Sequence, residues 1–312
     1  MELSRKLGLL AAGLACAFAA HAQTVKETPN SHFKPTGKGW GELDNVATEA
    51  SSGNAGGSSR AAPSSNLTFH GGPVMVAPTN LYYIWYGSQW DTASKNVLTN
   101  LGQHIGGSPY FNINTTYYNG SNVHVQNSVT LAGTTTDSGT LGTRLTDANI
   151  ASIVSSAITS GRLPNDANGV YVVLTDKATT ATSGFCTQYC GWHDHTTVSG
   201  KDIKYAFVGN AETQCASACG ATSPSPNGTP GADGAASVLA HELEEAVTDP
   251  NLNAWYSSFD GQENADKCAW TWGTTSLASN GAKYNQTFGT MKYLIQQNWV
   301  IASTQKCVQK YP

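Results

Sequence analysis

The chain is poor in charge. Of its 312 residues 12% are Asp, Glu, Lys or Arg, with 17 basic side chains against 21 acidic ones and a formal net charge of −4. That balance leaves no basic stripe and excludes a nucleic-acid face. Past the N-terminus, no segment approaches the ~18 unbroken apolar residues of a membrane span. The mature protein is therefore expected to leave the membrane. No internal repeat is present, which excludes a solenoid or propeller. Residues 23–66 are short of large apolar side chains: "TEASSGNAGGSSRAAPSSN" closes that stretch. Such a segment buries too little surface to offset its ordering entropy, so it reads as a flexible, low-complexity leader or a removable pro-segment.

The first 22 residues have the layout of a secretory signal peptide. Arg5 and Lys6 form a basic start, "LGLLAAGLACAFAA" is a short apolar run, and "AHA" at 20–22 fits a cleavage site before Gln23. Lipidation at Cys16 would put Gly13, not leucine, three residues before it. The expected location is secreted, either extracellular or periplasmic. Residues 67–312 remain as the folded domain, expected to be a monomer.

Cleavage removes Cys16 and leaves Cys186, Cys190, Cys215, Cys219, Cys268 and Cys307. An even number in an exported chain implies disulfides. A four-cysteine zinc knuckle is the alternative for "CTQYC" and "CASAC", but knuckles usually use two-residue spacers. The expected pairing joins Cys268 to Cys307, tying down the C-terminus, and pairs the other four among themselves.

Strand and helix patterns alternate along the domain. "NLYYIWYG" (80–87), "GVYVVLTD" (169–176) and "IKYAFVGN" (203–210) read as buried strands, and "VHVQNSVTLAGTTT" has strand-like alternation. Two helices follow from their stripes. One is capped by Asp91 and carries Val97, Leu98, Leu101 and Ile105; the other is capped by Thr146 or Asp147 and carries Ile150, Ile153, Val154 and Ile158. A third, "GADGAASVLAHELEEAVTDP", ends near Pro250. The expectation is α/β: a single layered domain with a mixed sheet, a zincin-like active-site helix and an irregular, disulfide-pinned C-terminal part. Beyond residue 250, short strands or a helix are expected near "MKYLIQQNW".

The third helix carries the chemistry. "AHELEEAVTDP" opens like the H-E-x-x-H motif of zinc peptidases, but Glu245 stands where the second histidine belongs. On a helix His241 and Glu245 lie one turn apart on one face and can meet one ion. Zinc accepts the carboxylate, while the extra negative charge admits calcium as a competitor. Glu242, rotated by about 100°, takes the place of a general base acting on metal-activated water. Downstream, "GQENADKC" supplies Glu263, 18 residues after Glu245, a spacing close to that of thermolysin-like enzymes. Asp266 is a ligand or a partner for the ring of His241. His193 or His195, in the same cleft, could bind the metal or steady a tetrahedral intermediate, and Asp249 either ligates or braces the helix end. The bland alternative is a solvated acidic helix face and turn, with ordinary surface histidines.

Several stretches resemble the EXORDIUM, or phosphate-induced protein 1, family: "LYYIWYG", "GVYVVLTD", "GFCTQYCGWH", "IKYAFVGNAETQC" and "AVTDPNLNAWY". The resemblance implies a secreted protein of the kind found in plant cell walls, with no chemistry to transfer. The "HELEE" cluster departs from the plant pattern and is similar to that of bacterial and fungal secreted proteins resembling zincins. Two functions follow. One is a zinc-dependent peptidase-like hydrolase with Glu242 catalytic and His241, Glu245, Glu263 and Asp266 on the metal, acting on an extracellular polypeptide. The other is a non-catalytic matrix or cell-surface protein, bound to a cell-wall component, with a structural calcium or zinc.

Overall fold

The computed structural model describes residues 66–312. The segments read as a signal peptide and a leader, Asn66 excepted, lie outside the described residues. The core is a five-stranded sheet of β2 (Thr79–Tyr86), β3 (Val129–Asp137), β5 (Gly169–Thr175), β7 (Gly191–Val198) and β8 (Lys201–Val208). Two-stranded pairings lie outside it: β1 (Thr68–Phe69) with β9 (Trp255–Tyr256), and β4 (Arg144–Leu145) with β6 (Thr180–Ala181). The order across the core sheet is β3-β2-β5-β8-β7, parallel throughout except for β7, which runs antiparallel at the edge.

Each parallel strand needs a crossover, and the helices provide two of them. Helix α1 (Thr92–His104) links β2 to β3, and α2 (Asp147–Thr159) links β3 to β5. The first crossover moves the chain to one side of β2 and the second to the other. Right-handed connections then place the two helices on opposite faces. The first helix lies on the face of Tyr83, which donates to the Leu98 carbonyl of α1 at 3.0 Å. Because both faces are covered, β5 is buried at every residue, as its continuous Val-rich run predicts.

The helix starts are set locally. The Asp91 carboxylate accepts from the Ser94 N–H at 2.8 Å. Thr146 and Asn149 form a reciprocal capping box. Each expected stripe is buried, Val97, Leu98, Leu101 and Ile105 on one helix and Ile150, Ile153, Val154 and Ile158 on the other.

Helix α3 (Pro230–Thr248) follows β8 and packs on α1, β7 and β8. Proline at its first turn suits a position whose N–H needs no partner. Every residue from Gly231 to Thr248 is buried, so this helix has no solvent face. Its small residues permit that: a Cβ on Gly234 would sit 2.8 Å from the Ala221 nitrogen and the Cys219 carbonyl oxygen.

The segment "GWHDHTTV" forms β7, a strand that its mixed polarity does not predict. The C-terminal part forms short antiparallel pairs, β10 (Ser276–Leu277) with β11 (Lys283–Tyr284), β12 (Gln286–Phe288) with β13 (Met291–Tyr293), and β14 (Asn298–Val300) with β15 (Lys306–Val308). The "MKYLIQQNW" segment therefore makes strands, not a helix. Disulfides join Cys186–Cys215, Cys190–Cys219 and Cys268–Cys307. The first two tie the approach to β7 to the loop before α3. The third anchors the C-terminal strands, as expected. Among the described residues no helix is long and apolar enough to cross a membrane.

Candidate metal centre

Three elements converge on the middle of α3. The helix supplies His241 and Glu245 one turn apart. Strand β7 supplies His193, because alternation puts Gly191, His193 and His195 on one face and Gly191 lies directly against α3. A Cβ on Gly191 would come within 2.5 Å of Val238 Cγ1 and 2.9 Å of Glu242 Oε1. The loop after β9 and the 3-10 helix Asp266–Cys268 supply Glu263 and Asp266, held by the Cys268–Cys307 bridge.

Two triads result. His241 Nε2 lies 3.1 Å from Glu245 Oε1 and 3.5 Å from Asp266 Oδ1. His193 Nε2 lies 3.2 Å from both oxygens of Glu263 and 3.7 Å from Glu245 Oε2. In each triad the three ligand-type atoms fall within 4.8 Å of one another. His193, His241, Glu245 and Glu263 are each 1% exposed and Glu242 is fully buried, which rules out a solvated acidic face. His195 lies away from the centre, exposed and 3.0 Å from Asp202. Asp249 caps the helix instead, accepting the Asn253 and Ala254 N–H groups at 2.6 Å. Burial raises its carboxyl to about 7, against the pull of those two bonds.

Backbone donors fix the carboxylates. The Asp266 N–H donates to Glu245 Oε1 and the Glu263 N–H to Asp266 Oδ2, both at 3.1 Å. The His241 ring is set from behind by Gln296, whose Oε1 lies 3.3 Å from Nδ1. That same atom accepts the Trp270 N–H at 3.2 Å and so is the amide oxygen. Nδ1 is therefore the ring nitrogen that donates to Gln296, and Nε2 is the one that faces Glu245 and Asp266. Sequence reading missed Gln296, because a glutamine 55 residues downstream carries no spacing signal. It also missed Glu244, which is buried against Tyr110 and Asn114 and raised to about 8 by that burial, less the effect of its hydrogen bonds.

The electrostatics fit a cation. Glu245, Glu263 and Asp266 share a buried volume, and among the described residues Lys204 and Lys267 pair with Asp202 and Asp260 elsewhere. Burial, then repulsion from Glu245, Asp249, Asp266 and Glu242, pushes the Glu263 carboxyl well above its ordinary range. Burial lowers the His193 ring to about 4, so it stays neutral with a lone pair to give. Like charges this close are tolerable only with bound protons or a metal. Beside the centre lies a cavity of about 370 Å³ whose walls include Ser237, Trp270, Trp272 and Lys283 but none of the triad residues.

The model of the phosphate-induced protein 1 conserved region matches residues 67–310. The chain belongs to that family. Among its EXORDIUM-type relatives, Protein EXORDIUM-like 5 of Arabidopsis thaliana is 32% identical over 275 residues, 75% of each chain. Protein EXORDIUM-like 3 of the same plant is 31% identical over 271 residues, covering 75% of this chain and 80% of the relative. Protein PHOSPHATE-INDUCED 1 of Nicotiana tabacum is 26% identical over 218 residues, 61% of this chain and 67% of its own. No solved structure matches the chain. The three disulfides accord with a family member that folds in an oxidising compartment.

Proposed function

We propose that the protein is a secreted EXORDIUM-type metalloprotein whose centre, built on His241, Glu245 and Asp266, holds zinc in a buried site. The observation that carries this is a buried imidazole aimed at two buried carboxylates, with further acid behind them and no basic side chain paired to those carboxylates among the described residues. The donor set favours zinc over calcium, because calcium takes oxygen ligands and leaves imidazole to the transition metals. Burial of the ligands supports a role in holding the fold: the ion would lock α3 to the loop after β9 and so to the disulfide-anchored C-terminal strands. Elemental analysis of the purified protein tests this. The expected result is bound zinc that falls in His241→Ala and a melting temperature that drops with chelator. A metal-free wild type indifferent to chelator overturns it, and calcium in place of zinc overturns the choice of ion.

A hydrolytic second reading rests on Glu242, which follows His241 and is fully buried on the β7 side of α3. Zinc, when bound, supplies Lewis acidity; Glu242 would hold and move the proton, and an extracellular polypeptide is the substrate class. Peptide hydrolysis that disappears in Glu242→Gln while zinc stays bound supports this reading. Equal cleavage by both proteins sinks it.

A further inference from the structure

We propose that the protein holds a second divalent transition-metal ion on His193, Glu263 and Glu245, with Glu245 bridging the two ions. The inference rests on the centre proposed above and adds a site to it. Ligands that share one zinc-type ion, with bonds of about 2.0–2.2 Å, lie no more than about 4.2 Å apart. Both triads meet that limit independently around their histidine: 3.1 and 3.5 Å from His241 Nε2, 3.2 and 3.7 Å from His193 Nε2. The two histidines belong to separate triads, and Glu245 belongs to both.

The division of Glu245 is the telling feature. Oε1 faces His241 and Oε2 faces His193. A carboxylate that gives one oxygen to each of two ions holds them at about the 3.5–4 Å of two-metal sites. Oε2 is buried, makes no hydrogen bond and points at the His193 ring, 3.7 Å away. Asp266 Oδ1 is likewise without a hydrogen bond and faces His241 at 3.5 Å. Each triad thus has one buried carboxylate oxygen that makes no hydrogen bond and faces an imidazole nitrogen, the arrangement a cation between them would satisfy. Charge points the same way. Glu245, Glu263 and Asp266 carry −3 when ionised, more than one divalent ion neutralises.

The test is a cobalt(II) titration of the full chain after chelator treatment, read by visible absorption and by elemental analysis after desalting. The expected uptake is about two equivalents, falling to about one in His193→Ala and about one in His241→Ala. Uptake of about one equivalent that is lost in His241→Ala but kept in His193→Ala overturns the second site and leaves the first standing. One equivalent lost in both variants means a single ion shared by both histidines and also overturns it. No uptake at all overturns both centres. If the His193 variant does not fold, paramagnetic resonance of the wild type decides. Two cobalt ions on a shared carboxylate couple, so the signal per cobalt falls between the first equivalent and the second. A signal that grows in simple proportion to bound cobalt overturns the bridge.

Discussion

His193 and Glu263 are 70 residues apart in the chain and in contact in the fold, with Nε2 at 3.2 Å from both carboxylate oxygens. The contact joins an edge strand to a disulfide-held loop across the face of a buried helix. It also takes Glu263 away from His241, leaving Asp266 to complete that triad.

Removing the imidazole should cost stability even without metal. His193→Ala strips Glu263 of a buried partner, and an orphaned buried polar group costs about 1–3 kcal/mol. Urea unfolding in chelator should show that loss, and a larger one in zinc. A variant as stable as wild type in both buffers would contradict a supporting contact between His193 and Glu263.

Gln296 should act on the metal without touching it. Its amide oxygen orients His241, and loss of such a partner typically weakens binding by about 10–100-fold. Gln296→Leu should therefore lower zinc affinity by that factor in a chelator competition, with the far-ultraviolet circular dichroism unchanged. Unaltered affinity would show that the ring is positioned by packing alone.

Gly191 has no room for a methyl group. Its Cβ would meet Val238, the Phe207 carbonyl at 2.8 Å and Glu242. Gly191→Ala should destabilise by about 1–3 kcal/mol, measured by urea unfolding, because helix and strand must separate. It should also weaken metal binding, since His193 follows two residues later on the same face.

The Cys268–Cys307 bridge closes a loop with a sequence separation of 39. Chain-entropy reasoning gives about 4 kcal/mol for a loop of that size. The Cys268→Ala/Cys307→Ala double variant should lose stability on that scale and bind zinc more weakly, because Asp266 lies two residues from Cys268. Thermal unfolding with and without zinc measures both effects.

Asp91 gives a pH signature remote from the metal. Hydrogen bonds from the Ser94 N–H and hydroxyl hold its carboxyl below the ordinary range, against a smaller opposing effect of burial. A depressed folded pKa contributes stability above the unfolded value of about 3.9 and loses it as pH falls. Asp91→Ala should thus cost about 1 kcal/mol near neutrality, with a gap to wild type that closes as the pH drops below about 4. A gap constant with pH would mean the cap acts without its charge.

Local chemistry was legible wherever one segment decided its own fate. The caps at Asp91 and Thr146, the buried stripes of α1 and α2, and the continuous apolar run of β5 each follow from spacing within a few residues. Strand β7 was not legible, because "GWHDHTTV" mixes polar residues on both faces and owes its place to pairing with β8. The C-terminal part was legible only as short strands or a helix, because strands of two or three residues are too brief to show alternation. The acidic tail of α3 admits a solvated face by its composition and is instead buried all round, since the partners that cover it come from β7, the segment Phe111–Thr116 and the loop after β9.

By itself, then, the sequence determined the family, the alternation of strand and helix and the His241–Glu245 pair, which helical periodicity places on one face. Tertiary structure decided what that pair meets. Sheet order brought His193 to the helix, the disulfide-held loop gave Asp266 to His241 and Glu263 to His193, and Gln296 set the ring. Contacts between residues tens of positions apart are fixed by packing, which no local spacing encodes.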